Sequence, residues 1–354
     1  MFDEFKKIQQ VTNRIDKLLL KGLGLMLVII LVAGLNSTTN APTILPENKE
    51  QKEKPKNITY SNCVTTKQVE YTKPDPVLKT NTKKAAIDLV SDTETAGVTK
   101  GEIIALTEPE FVELSKTDNC INPEEIVYSF IYNQTVKIYP KSILRQHQLV
   151  HDQVENINLL ITYSPFSDSA NIYHRDENIF GISGRIYKGS NLIYDLSTES
   201  LWLDFNGRAV IGDNQGKQLT KLILRQSTYE KAKQAFPNAK VLNFDNGYGI
   251  DYSDNPYAIF EKTSLPFGNI DASAYENSPR EKGISFEVNK KNYFFALDQL
   301  PKEPFEIKGF HIFINDQLQN YEVGLKDSNG NIQTIPYTYS YFYTFHEINS
   351  EEVL

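Results

Sequence analysis

Two kinds of apolar pattern divide this chain. Near its start, Leu18 to Leu35 reads "LLLKGLGLMLVIILVAGL", apolar apart from Lys21. Beyond about residue 100 the apolar positions come in short alternating runs bounded by Asn, Gly and Asp, the period-two signature of half-buried strands. "EIVYSFIYNQTVKIYP" predicts two strands about Asn133-Gln134, "NINLLITY" a strand, and "NIYHRDENIFGISGRIY" a hairpin pair. In "SNLIYDLSTESLWLDFNGRAVIG" the Asn206-Gly207 dipeptide is the strongest hairpin signal of the chain, because both residues tolerate positive φ. Helical spacing is rarer. "KSILRQHQLVHD" sets Ile143, Leu144 and Val150 at helical intervals, and "STYEKAKQAFPNAKVL" predicts a short helix begun by Ser227 or Thr228 and stopped before Pro237. A capped helical turn is expected near Thr107, with Glu110 as its capping-box partner. The expected fold class is α+β and β-rich. The abundance of Tyr and Phe (20 and 19, against 2 Met and 1 Trp) points the same way, since aromatic side chains favour sheet.

The pattern also repeats. "PEEIVYSFIYNQTVKIYPKSIL" (123–144) aligns without gaps against "PREKGISFEVNKKNYFFALDQL" (279–300), and "YEKAKQAFPNAKVL" rhymes with the closing "YFYTFHEINSEEVL". This predicts an internally duplicated domain, with a first half at about 97–242 and a second at about 243–354. The second copy has no counterpart of the stretch "YSPFSDSA" (163–170) and no His cluster, so any chemistry is expected in the first half.

The long apolar run sets the expected location. Lys6, Lys7, Arg14, Lys17 and Lys21 precede it, and no Lys or Arg follows until Lys49. That asymmetry predicts a cytoplasmic leader over 1–21, a single membrane anchor or signal segment over 22–36, and all later residues outside. Cleavage as a signal peptide, giving a secreted protein, is the alternative. Residues 37–57 are Pro-, Asn- and Lys/Glu-rich and read as a disordered linker, and the β-rich extracytoplasmic domain follows over 58–354. The two cysteines, Cys63 and Cys120, suit one disulfide in an exported chain. A net charge of −8 and a pI of about 5.3, with no basic stripe, exclude a nucleic-acid footprint.

Candidate chemistry is confined to a short region. Three of the five histidines are His147, His151 and His174. On a helix, His147 and His151 at i and i+4 would share one face and could grip Zn²⁺ or Cu²⁺, with Asp168 or Asp152 adding an oxygen. No glutamate lies between them, so this is not the metalloprotease pattern. A solvated helix face explains the same spacing. Ser164, Ser167 and Ser169 sit in a turn-like stretch, but Pro165 and Phe166 occupy the place where a nucleophile elbow needs small residues.

At these residues the chain resembles the uncharacterised family known as domain of unknown function 3179, over about residues 97–354. The resemblance rests on "KGEIIALTEPEFV", "IYPKSILRQHQLVHD", "FGISGRIYKGSNLIYDLSTESLW" and "DNGYGIDYSDNPY". It implies that "TYSPFSDSA" stands where the family carries "TYCPLCGSA", so that Ser164 and Ser167 replace a Cys-x-x-Cys and Asp168 a glycine. Serine hydroxyls neither cycle as a dithiol nor hold soft metals. The resulting expectation is a catalytically degenerate, membrane-anchored binding protein for a small molecule or envelope partner. Its pocket would be formed by His147, Asp152, Tyr163, Ser164, Ser167, Asp195 and Glu199. The rival expectation is a metal-assisted enzyme using His147, His151 and an Asp.

Overall fold

The computed structural model describes Cys63 and residues 71–350. The chain divides into two compact units, Met1–Lys54 and Pro55–Leu354. The first, with the expected leader and membrane segment, lies outside the described residues. No described helix is long and apolar enough to cross a membrane.

Strands β1 (Glu94–Thr95) and β2 (Phe111–Glu113) precede a hairpin of β3 (Ile126–Tyr132) and β4 (Thr135–Pro140), which turns at Asn133 with φ of 52°. Helix α1 (Lys141–His147) follows at once, then the antiparallel meander β5 (Leu149–Val154), β6 (Ile157–Ser164) and β7 (Ser169–His174). Another meander, β8 (Phe180–Tyr187), β9 (Ser190–Asp195), β10 (Leu201–Leu203) and β11 (Ala209–Ile211), forms one sheet with β1. The chain then returns through β12 (Thr220–Lys221) to pair with β7, and through β13 (Arg225–Thr228) to pair with β3. Helix α2 (Tyr229–Ala235) and β14 (Lys240–Leu242) follow. The later part holds α3 (Ala258–Glu261), the hairpin β15 (Lys282–Val288) and β16 (Lys291–Ala296), and the meander β17 (Phe305–Ile307), β18 (Phe310–Asn315), β19 (Asn320–Lys326) and β20 (Ile332–Thr334). It closes with β21 (Thr338–Tyr341) and α4 (Phe342–Asn349). Among the described residues, sheet therefore dominates over a few short helices.

Side-chain alternation explains why "INLLITYS" reads as one apolar run: β6 is buried on both faces. Leu159, Ile161 and Tyr163 join the core shared with β3 and β4, while Leu160 joins Phe180, Ile193 and Trp202 on the opposite face. On that second face the row changes character at Thr162 and Ser164, opposite Asn171 and Ser169 of β7. All four are fully buried, which makes this a polar patch inside the fold.

The two hairpins that carry the sequence repeat have matching geometry. Ile126 pairs with Thr228 and Ser129 with Arg225, as Lys282 pairs with Tyr341 and Ser285 with Thr338. The helix after each return strand is anchored alike. The amide of Tyr229 donates to Glu125 O at 2.8 Å and that of Phe342 to Glu281 O at 2.8 Å. Glu230 N likewise reaches Pro123 O at 3.0 Å, and Tyr343 N reaches Pro279 O at 2.8 Å. Each hairpin is followed by a four-stranded antiparallel meander, and the first is interrupted between β7 and β12 by the β8–β11 sheet.

Three local expectations are corrected. Residues 107–110 form no helix; the turn comes later, as the 3₁₀ segment Leu114–Lys116. "ILRQHQLVHD" is helical only to His147, because Gln148 takes a left-handed φ of 58° and the chain leaves as β5. Strands β7 and β8 do not pair with each other, since they belong to different sheets.

Candidate functional site

The stretch "YSPFSDSA" is a tight hairpin. Ser164 and Ser169 face each other as the last ladder pair of β6 and β7, and Pro165 to Asp168 make the turn, which ends on Asp168 at φ of 47°. A short polar residue tolerates that left-handed position better than a branched one. Turns usually lie at the surface, where water satisfies their backbone. This one is buried, and protein groups replace the water. Tyr341 N donates to Ser167 O at 2.9 Å, and the Tyr343 hydroxyl donates to Phe166 O. Phe166 packs against Phe267, Phe260 and Tyr257 of the connecting strap, with ring centroids 4.0, 5.4 and 5.7 Å away. The Ser164 hydroxyl donates to Gly189 O at 3.2 Å, and those of Ser167 and Ser169 share a 2.7 Å bond. Neither Ser164 nor Ser167 has a histidine partner in these bonds.

Asp168 is held by a lysine from each half. Lys141 Nζ reaches one carboxylate oxygen at 2.6 Å, Lys282 Nζ donates to the other, and the Tyr163 hydroxyl adds a bond at 2.9 Å. Burial pushes this carboxyl up, but the two ammonium groups outweigh it and hold Asp168 below the usual carboxylate range. Burial beside that charge drives the Tyr163 phenol well above its ordinary value.

The histidines do not share a helix face. His147 ends α1 and His151 lies on β5. The partners of His147 fix its tautomer. Ile104 O, 2.7 Å from Nδ1, can only accept, so Nδ1 carries the proton; Nε2 then accepts from the Tyr252 hydroxyl at 2.6 Å. His151 is arranged alike, with Nδ1 3.3 Å from Leu106 O and Nε2 accepting from Phe180 N at 2.9 Å. Burial lowers both to about 4, and the Arg175 charge adds to the effect at His151. Both rings are therefore neutral near pH 7, with their nitrogens engaged.

The remaining sequence candidates stand in separate clusters. Asp152 accepts from Lys137 Nζ at 2.6 Å and from the Tyr139 hydroxyl at 2.7 Å. Asp195 accepts from Thr198 N at 2.7 Å, Trp202 Nε1 at 2.9 Å and Asn214 Nδ2 at 3.0 Å, a knot that shapes the "STESLW" turn. Burial pushes Asp195 up and these donors bring it below its ordinary value. Glu199 pairs with Lys100 at 2.6 Å and accepts from Lys79 N; burial raises it, but these bonds outweigh burial and leave it below its ordinary value. Cys63 and Cys120 are joined in a disulfide. Among the described residues, no three His, Cys, Asp or Glu side chains are grouped to hold a metal ion.

Two clefts occupy matching places at the foot of the two repeat hairpins. The first, about 340 Å³, is lined by Asn122, Glu124, Glu125 and Ile126 at the start of β3, Lys141, Ser142 and Arg145 of α1, and Tyr252, Ser253 and Glu261 of the connecting strap. The second, about 520 Å³, is lined by Asn277, Ser278, Glu281 and Lys282 together with Leu297, Asp298 and Gln299. Of the residues lining the first, Ser142 and Arg145 each hold one buried atom, Oγ and Nε, with no hydrogen-bond partner among the described residues. Tyr252 joins it to His147, which stands behind the cleft wall.

Sequence reasoning passes over Lys141, Ser142, Arg145, Lys282 and Asp204. The first three lie in the quoted "KSILRQHQLVHD", where the histidines draw attention away from them. Asp204 precedes the Asn206-Gly207 turn and is fully buried, accepting from Ser190 Oγ at 2.7 Å. Burial drives it up to about 7, against the pull of Ser190 and Asn191.

A family model described as "Protein of unknown function (DUF3179)" matches residues 100–325, and the chain belongs to that family. No curated protein and no solved structure matches it.

Proposed function

We propose that this protein is an extracytoplasmic binding protein, tethered by its N-terminal apolar segment, that holds a small ligand without converting it. One observation carries the reading. The side chains with catalytic potential are engaged in bonds within the fold, while an accessible cleft beside them is lined by charged and polar side chains that could hold a ligand. The Cys63–Cys120 disulfide suits an oxidising compartment outside the cytoplasm. The matching hairpin registers support a duplicated ancestry, with the β8–β11 sheet as an insertion in the first half.

The test is thermal melting of the full chain, purified in detergent, against a panel of amino acids, sugars, phosphates and short peptides. A ligand that binds only the folded state raises the melting temperature with concentration. The expected result is a saturable rise with at least one compound, recovered unchanged by mass spectrometry. A flat panel, or chemical conversion of the bound compound, contradicts the proposal.

A further inference from the structure

We propose that the free edge of β16 is a self-association surface: two copies of the chain pair there antiparallel, and Lys290 of each copy meets Asp298 of the other.

The open edge follows from comparing the halves. In the first, β4 is covered on its outer side by β14, which pairs with it in parallel at Lys137–Lys240 and Ile138–Val241, and β2 lies beyond. The gapless repeat places Tyr293 and Phe294 of β16 at the positions of Lys137 and Ile138. Yet β16 ends its sheet, in the order β16-β15-β21, so among the described residues its outer backbone groups meet no strand. Such an edge is a template for a further strand, and lysines commonly guard it. Lys290 and Lys291 stand exposed at one end of this one.

Charge identifies the occupant. Val288 pairs with Lys291 at the hairpin end of β16, and Gly283 pairs with Ala296 at the other. The two lysines therefore lie at the first end, while exposed Asp298 and half-buried Glu281 lie just past the second. Among the described residues none of the four has an oppositely charged partner, and Lys282, which lines the cleft with Glu281 and Asp298, is bound to Asp168. Burial and the neighbouring Asp298 push Glu281 up, as expected of two carboxyls with no cation between them. An antiparallel partner runs in the reverse sense, so a second copy brings its lysines to these carboxyls at both ends of the ladder. The lysines then select the partner strand instead of repelling every strand.

The faces of the strand agree with this pairing. Tyr293 and Phe295 pack against Phe286, with ring centroids 5.4 and 6.0 Å away, whereas Phe294 packs on Phe342 and Phe345 of α4 at 5.0 and 5.2 Å. A two-fold axis normal to the sheet and centred on Phe294 keeps each face on its own side. It sets Tyr293 opposite Phe295 of the second copy, an aromatic cross-strand pair that stabilises a ladder. The same axis closes the second cleft, because Lys290 of the second copy reaches the wall formed by Glu281 and Asp298. The ladder is short, so the dimer is weak.

The experiment is sedimentation equilibrium of the full chain in density-matched detergent, with carbodiimide cross-linking at the same concentrations. A micromolar monomer–dimer equilibrium is expected. Strand β16 spans about 20 Å, so a Lys290–Asp298 cross-link cannot form within one copy, and its recovery by mass spectrometry identifies the antiparallel contact. Lys290→Glu and Asp298→Lys should each weaken the dimer at least roughly tenfold, because symmetry makes the contact twice, and the double variant should return to within about threefold of the parent. Both positions are exposed, so neither variant should lower the melting temperature of dilute protein, which separates an association defect from a folding one. A dimer indifferent to both charge reversals, as association through the N-terminal segment would be, overturns the inference. So does a monomer at every concentration, whether its β16 amides exchange freely or are protected by the chain's own covering of the edge.

Discussion

The tips of the two meander hairpins show how one backbone serves two environments. Pro165–Asp168 and Asp316–Gln319 are turns of the same length, and each closes on a left-handed residue, Asp168 at φ of 47° and Gln319 at φ of 53°. In the second half Asp316, Gln317 and Gln319 are exposed. In the first, Pro165, Phe166 and Ser167 are buried. The difference comes from what surrounds the turn: Gly189 at the β8–β9 turn, the strap that carries Tyr257, Phe260 and Phe267, and the Tyr341–Tyr343 segment. The turn is common to both places, and its surroundings decide whether it is buried.

Acid should separate the halves most strongly. His147 and His151, lowered to about 4, refuse protons that the unfolded chain accepts below about 6.5. Their contribution is complete above that value and is lost as pH falls toward 4. At about 1.4 kcal/mol per unit, each contributes up to about 3 kcal/mol. His311 and His346 of the second half instead lie beside Glu306 and Glu347. Urea midpoints between pH 7 and 4 should therefore fall steeply, and hydrogen exchange should show α1 and β5 loosening before β18. A flat midpoint would break this contrast.

The next effect concerns the paired tips. Asp168→Ala leaves Lys141 and Lys282 without their shared anion. Because Lys282 is half exposed, the expected loss is about 2–3 kcal/mol, below the full penalty for breaking a buried pair. Gln319→Ala, at the exposed tip, should change stability by under about 0.5 kcal/mol. Chemical denaturation checks both, and similar losses would contradict the comparison.

Asp204 directly follows β10 and titrates in the opposite sense. It keeps its proton up to about 7, whereas the unfolded chain gives it up near 4, so its contribution is lost as pH rises between those values. Asp204→Asn should accordingly raise stability at pH 8 by about 2 kcal/mol and leave it nearly unchanged at pH 4. The smallest stability effect is expected from Ser167→Cys. Its thiol should label with maleimide far more slowly than that of Gln317→Cys, because only the latter is exposed in the folded protein. A Zn²⁺ or Cu²⁺ titration is expected to show no saturable site that depends on both His147 and His151, since a metal would have to break their present hydrogen bonds; a tight site lost in both alanine variants would restore the metal-assisted reading.

Much of the scaffold is legible in the sequence for physical reasons. Alternating aromatic and β-branched residues mark β3 and β4, Asn133 supplies the positive φ between them, and Thr228 caps α2 by accepting from Lys231 N. The repeat is visible because its hairpins align without a gap. It fades after Leu300, where the meanders differ in strand length, so the sequence does not reveal that the turn Asp316–Gln319 has the length and closing conformation of Pro165–Asp168. The helix misassignment at His151 follows from Gln148, a residue with no strong preference for the left-handed conformation it adopts. The site is less legible than the fold. Periodicity reports that Ser142 and Arg145 sit on a helix, but whether their polar atoms find partners depends on Tyr252, Ser253 and Glu261, far away in sequence.

The binding reading is tested most directly by a crystal structure of the protein soaked with a compound that stabilises it. The account predicts density in the cleft lined by Arg145, Ser142 and Tyr252 and an empty cleft at Glu281 and Asp298. Density in the second cleft alone would contradict it.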